Sequence, residues 1–272
     1  MLDSLLHQLA QDPAADVDVA EVALLLAADE YQDLDVAAYL ARLDDLAERA
    51  GPRLVGNLEQ VAAGLAAFLF EEEGFEGNAD DYYDARNSYL NEVIDRKLGI
   101  PITLSVIAMS VGQRAGLDVV GVGLPGHFIA KAVHADEEVL FDPFHGGQIL
   151  TSAGCEQLIE AVTGRPFAVT PELLAATPPG MIILRMMNNL RSIYAEREDF
   201  ARTARVLSRQ RQLAPDDVSL RRDLGVTLVR AGKHGPAIDH LKAYIESAPY
   251  AEDVEDVRLT LAQALAEVAR WN

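Results

Sequence analysis

Tyr82-Tyr-Asp-Ala-Arg-Asn-Ser-Tyr-Leu-Asn-Glu-Val-Ile-Asp-Arg-Lys-Leu-Gly-Ile-Pro-Ile-Thr-Leu-Ser105 is the stretch whose reading decides the fold. Asn87 and Ser88 are residues that cap a helix start, and Gly99 follows Lys97, so the spacing predicts a helix from Asn87 or Ser88 to Lys97. Pro101, whose fixed φ and missing N–H suit a first turn, opens a second helix through Thr103, Val106, Ile107 and Val111 to Ala115, and Gly116 stops it. Beyond Gly116 the apolar period falls to two. Val119 to Leu124, His127 to Val133 and Val139 to Phe141 read as three short strands, the last two joined by the charged turn His134-Ala-Asp-Glu-Glu138. Helices followed by a compact antiparallel meander predict an α+β fold rather than alternating βαβ units.

Upstream, Ser4 to Glu73 has apolar residues spaced by three and four (Val19, Val22, Leu25, Leu26; Leu40, Leu43, Leu46; Leu58, Val61, Leu65, Leu69), broken at Pro13 and at Gly51-Pro52. Three or four short helices are expected there. They carry most of the charge: of the net −20 in 272 residues, residues 1 to 85 hold 20 acids against 3 bases, and the remainder is close to neutral. So acidic a surface repels phosphate backbones and anionic lipid heads, which argues against nucleic-acid and membrane partners. The longest apolar runs, Val61 to Phe70 and Val22 to Ala28, are far too short to span a bilayer, and no basic segment precedes an apolar one at the start. The single cysteine, Cys155, has no partner for a disulfide or a zinc pair, so a reducing cytoplasm is the expected compartment.

Downstream, a proline-marked stretch, Pro171 to Gly180, reads as a linker, and the residues beyond it repeat. Pro215 and Pro249 lie 34 apart, and the same offset relates Leu190 to Leu224, Tyr194 to Leu228 and Leu207 to Leu241. Gly225, Gly232 and Ala237 fall where stacked helix pairs need small residues, so the segment resembles two tetratricopeptide (TPR) motifs followed by a capping helix, Val254 to Val268. Its arginines (Arg197, Arg202, Arg205, Arg209, Arg211, Arg221, Arg222) are expected to dock on the acidic N-terminal helices of the same chain.

The opening stretch, followed by Gly121-Val-Gly-Leu-Pro-Gly-His-Phe128 and Phe141-Asp-Pro-Phe-His-Gly-Gly147, resembles the SirB family of bacterial proteins. The resemblance covers nearly the whole chain and implies a transglutaminase-like domain followed by TPR motifs. It predicts a papain/transglutaminase-like core at about 75–170 within a segment 1–170 that includes the helical layer, a linker at 171–180, and two TPR repeats with a capping helix at 181–272. Enzymes of this fold place a cysteine nucleophile at a helix start, a histidine base on a following strand and an orienting aspartate on the next. His127 and Asp142 match the histidine and the aspartate.

The nucleophile is missing. Where an active relative reads Gly-x-Cys, this chain reads Gly99-Ile100-Pro101, with Thr103 and Ser105 just beyond, and Cys155 follows the aspartate, outside the expected order. Asn87, Asn91 and Glu92 form the polar block upstream, Asn87 and Asn91 being spaced to share a helix face, and with Gly126 they are candidates to line the cleft. A two-histidine, one-carboxylate metal set (His127, Asp142, His145) ranks below the His127–Asp142 pair, and no metal or cofactor is expected. Gly146-Gly147 lacks the helix and lysine of a phosphate loop. The expected function is that of a non-catalytic interaction or regulatory module for a protein or peptide partner. Its rival is an acyl-transfer enzyme, a peptidase or amidase, using Thr103 or Ser105 with His127 and Asp142.

Overall fold

A computed structural model describes residues 1–270; Trp271 and Asn272, the end of the segment expected to form the repeats, lie outside the described residues. The chain divides into two compact bodies, one made of Met1–Leu2 and Ala14–Met186, the other of Asp3–Pro13 and the chain from Met187 onward. Helix α1 (Leu2–Gln11) therefore contributes to the second body, and the stretch 171–180 belongs to the first. Among the described residues no helix is long and apolar enough to cross a membrane. The fold is α+β, as the switch in period indicated.

The first body opens with α2 (Val19–Ala27), α3 (Val36–Ala50) and α4 (Leu58–Ala66), the last continuing into a π-helical turn at Ala67–Glu72. Part of the acidic charge is used locally. Asp18 accepts from the N–H groups of Ala20 and Glu21, Asp35 accepts from Ala38 N, and Asn57 with Gln60 closes a reciprocal capping box. Other acids pair with bases of this same body: Asp18 and Asp44 with Arg114, Asp45 and Glu73 with Arg49, Glu72 with Arg53, and Asp95 with Arg42.

A two-residue parallel ribbon, β1 (Glu76–Gly77) against β2 (Leu98–Gly99), brackets a 3-10 turn at Ala85–Ser88 and helix α5 (Leu90–Arg96). Next comes α6 (Pro101–Arg114), buried continuously from Pro101 to Gly112, as befits a helix apolar all round. It packs on α3, on β3 (Asp118–Leu124) and β4 (His127–His134), and on the 3-10 turn Pro143–His145. Strands β3, β4, β5 (Glu137–Asp142) and β6 (Gln148–Leu150) form an antiparallel meander in chain order, and α7 (Ser152–Thr163) follows. The proline-marked stretch is tied to the free edge of β3: Thr177 N donates to Gly121 O (2.8 Å), and Thr177 Oγ1 accepts from Gly123 N (2.9 Å).

Helix α8 (Pro179–Glu196) carries the chain into the second body, which holds α9 (Phe200–Leu213), α10 (Val218–Arg230), α11 (His234–Ser247) and α12 (Val254–Ala269). Its core joins Leu207, Leu224, Leu228, Ala237, Leu241 and Tyr244. Gly225 is the close-approach point: a Cβ there would stand 2.7 Å from Leu241 Cγ. Within this body Arg209 pairs with Asp3 (2.5 Å), while Arg191 and Arg222 converge on Asp223.

Candidate functional site

The β3–β4 hairpin turns through Pro125-Gly126, and Gly126 takes φ +72°, where a Cβ would also meet Val162 Cγ1 at 2.6 Å. A glycine there lets His127 open β4 directly after the turn. Asp142 ends β5. Continuing the ladder one step past Ala130–Phe141 sets Asp142 opposite Ile129 and diagonal to His127, so both side chains share one face of the sheet.

His127 Nε2 lies 3.0 and 2.9 Å from Asp142 Oδ1 and Oδ2, with both residues buried. Asp142 also accepts from Phe144 N at 3.0 Å and from His145 Nδ1 at 2.7 Å. Burial works to raise the Asp142 carboxyl, but the hydrogen bonds and charges of His127 and then His145 outweigh it and hold the group below its usual value. The two imidazoles stack at 5.7 Å, and Phe144 sets an edge against each, with Tyr82 edge-on to Phe144 at 6.0 Å. With Nε2 committed to the carboxylate, Nδ1 is the ring atom of His127 left for a ligand.

The head of α6 is arranged differently from a nucleophile's seat. Pro101 is the first helical residue, and Thr103 Oγ1 accepts from Ile100 N (3.1 Å) and donates to Asn87 O (2.8 Å). The Thr103 hydroxyl is thus the helix cap, fully buried and engaged on both sides. Ser105 is also fully buried, and its Oγ has no hydrogen-bond partner. Cys155 sits in an apolar cluster with Val122, Leu124, Ile129, Leu140 and Ile159, and burial, helped by the Asp142 charge, pushes its thiol up to about 11.

The upstream block also departs from expectation. Asn87 lies in the 3-10 turn and Asn91 in α5, with the extended Tyr89 between them, so the two do not share a helix face. The helix starts late because Asp84 caps the 3-10 turn at Arg86 N while the Asn87 amide is drawn back to Asp81 O (2.7 Å) and Tyr82 O (3.3 Å). Asn87 Oδ1 further accepts from Asn78 Nδ2 and Arg96 Nη1, which makes Asn87 a buried fastener of the loop. Asn91 is buried with its Oδ1 unpartnered, and Glu92 is half-buried.

His127, Asp142 and His145 each offer one ligand atom, and these atoms lie within 4.8 Å of one another. The three could hold a divalent cation if each imidazole gave up its hydrogen bond to Asp142.

Residues 37–188 match the family model described as transglutaminase-like superfamily. The chain belongs to that superfamily. Residues 190–262 match a tetratricopeptide repeat model, so the two domain types follow one another in the expected order. A UPF0162 protein of Xylella fastidiosa (strain Temecula1) is 35% identical over 248 residues, 87% of this chain and 86% of the relative. Another, from Pseudomonas aeruginosa, is 31% identical over 69% of this chain and 67% of its own length. Human F-box only protein 21 is 30% identical over 142 residues, 49% of this chain and 22% of that protein. No solved structure matches the chain.

Sequence reasoning passed over two neighbours of the His127–Asp142 pair. One is the aromatic set Tyr82 and Phe144 around the imidazoles. The other is Arg185 of α8, whose Nη2 donates to the backbone carbonyls of His127 (2.5 Å) and Leu124 (3.1 Å). The signal was present: Met181-Ile-Ile-Leu-Arg-Met-Met187 places one charge inside an apolar run.

Proposed function

We propose that this chain is a bacterial, SirB-type member of the superfamily in which the transglutaminase-like body has lost its nucleophile. It then acts with its TPR helices as a protein-interaction or regulatory module. The observation that carries the reading is the head of α6: Pro101 stands where the resemblance puts the cysteine, and the nearby hydroxyls of Thr103 and Ser105 are both fully buried. A nucleophile must reach an acyl carbon in a bound substrate. A capping hydroxyl and an enclosed one do not supply it, and the raised Cys155 thiol is a poor thiolate source.

Under this reading His127 and Asp142 keep a polar floor to the cleft, and the occupant is a protein or peptide segment held without turnover. The rival acyl-transfer reading keeps the same pair as base and orienter but needs Thr103 or Ser105 exposed. Two measurements on the full-length protein decide between them. Affinity capture from the native cells is expected to retain a defined partner, and a fluorophosphonate probe is expected to leave the protein unlabelled. Labelling of the wild type but not of His127→Ala, with no partner captured, would overturn the proposal.

A further inference from the structure

Arg185 is an unusual cation in so acidic a chain. Among the described residues no carboxylate lies within ion-pair distance of it, although the sequence holds 43 acids. Its Nη2 is spent on the two hairpin carbonyls, Leu124 O and His127 O, and its guanidinium lies over the Phe128 ring at 5.4 Å. These contacts fix the group in place without neutralising it. Among the described residues, Nη1 and Nε have no acceptor. Space is kept beside Nη1 by Gly123, where a Cβ would approach it to 3.2 Å.

A half-buried guanidinium that solvates its charge on carbonyl oxygens alone is a strong anion receptor, since bulk water no longer screens it fully and no acid competes for it. Burial lowers its proton affinity, which points the same way. Among the described residues the one titratable group whose charge acts on it is Tyr82, whose hydroxyl has no hydrogen-bond partner there. Tyr82 in turn leans on Phe144, and Phe144 on His127. The cation, the phenol and the imidazole thus belong to one linked cluster around the hairpin turn.

We propose that Arg185 and Tyr82 form a carboxylate subsite beside His127, which takes the C-terminal carboxylate or an acidic side chain of the peptide partner. This assignment rests on the non-catalytic reading of the same cleft. One cation and one phenolic donor balance one negative charge. A phosphate, with about two charges at neutral pH, lacks a second cation here and is repelled by the chain's net charge.

The test uses the full-length protein and short probes: N-acetyl-glycylglycine against its C-terminal amide, and N-acetyl-glutamate amide against N-acetyl-glutamine amide. Binding is followed by the Arg185 Nε–H resonance in NMR titrations. The acids are expected to bind saturably and the amides not, and whichever acid binds tighter tells a chain end from a side chain. Tyr82→Phe, which keeps the ring packing, is expected to weaken the acid about tenfold, and Arg185→Gln to remove it. Equal binding of acids and amides, no saturation, unchanged affinity in Tyr82→Phe, or tighter binding of inorganic phosphate would overturn the subsite. A captured partner whose retention ignores both variants refutes the subsite and leaves the interaction module standing. Hydrolysis of the amide probe refutes the non-catalytic reading while the subsite stands.

Discussion

His127 Nε2 sits within 3.0 Å of both carboxylate oxygens of Asp142, and Asp142 gathers two further donors, Phe144 N and His145 Nδ1. One buried carboxylate therefore satisfies four contacts. Removing it in Asp142→Ala strands an imidazole and a backbone N–H in a buried site. The expected loss is about 3 kcal/mol, in the range for breaking a buried charged network. Asp142→Asn, which keeps the size and some acceptors, is expected to lose less. Urea titration of both variants checks the order.

The same carboxyl sets an acid limit on stability. Its folded value lies below the ordinary one, so its stabilisation is complete above the unfolded value of about 4 and fades as pH falls through the folded value. Stability measured from pH 6 down to 2 should fall more steeply in the wild type than in Asp142→Asn. A slope remains in the variant, because Asp84 and Asp199 are lowered too. Parallel curves would show that Asp142 titrates alike in both states.

Thr103 and Ser105 make a contrasting pair. Thr103→Val leaves Ile100 N and Asn87 O without partners and should cost about 1 to 2 kcal/mol, whereas Thr103→Ser should restore most of it. Ser105→Ala removes a buried hydroxyl that has no protein partner among the described residues, and is expected to be neutral or slightly stabilising. Thermal denaturation of the three variants reads the difference. A clearly destabilised Ser105→Ala would show instead that the hydroxyl makes a hydrogen bond in the folded chain.

The parts of this fold that were legible in the sequence are those set by local chemistry. Pro101 and Gly116 bound α6 as read, and the alternation from Val119 to Phe141 gives three of the four meander strands. The position of His127 next to Asp142 follows from adjacent strands and a tight turn. Features decided by distant contacts were not legible. The late start of α5 depends on where the Asn87 amide is pulled, the two-residue strands β1 and β2 carry no periodic signal, and α7 was passed over. Arg185 became visible only when α8 brought it to the hairpin from 58 residues away.

Cys155 tests the site from the other side. Its thiol is pushed up to about 11 by burial, with the Asp142 charge adding to it. At pH 8 about one molecule in a thousand then carries a thiolate, and the group is enclosed as well. Iodoacetamide should leave the native protein unmodified by mass spectrometry and modify it once urea unfolds the first body. Rapid alkylation of the native chain would return Cys155 to the list of nucleophiles.

The repeat body offers a test of packing by a single methyl. Alanine at Gly225 would put Cβ 2.7 Å from Leu241 Cγ and Cδ2 and 3.3 Å from Leu241 N. Leu241 is fully buried, and Cγ is its branch point rather than a free end, so the strain has little room to relax. Overpacking of this kind costs about 1 to 3 kcal/mol, more than the gain of up to about 1 kcal/mol from replacing a helical glycine. Gly235, near the start of α11, has nothing within 4 Å of its added Cβ. Pro236 follows it, however, and a Cβ before a proline disfavours the helical backbone, which offsets the propensity gain. In urea titrations Gly225→Ala should lower the midpoint clearly and Gly235→Ala leave it nearly unchanged, and an unchanged or raised midpoint in Gly225→Ala would show that the Gly225–Leu241 approach relaxes without cost.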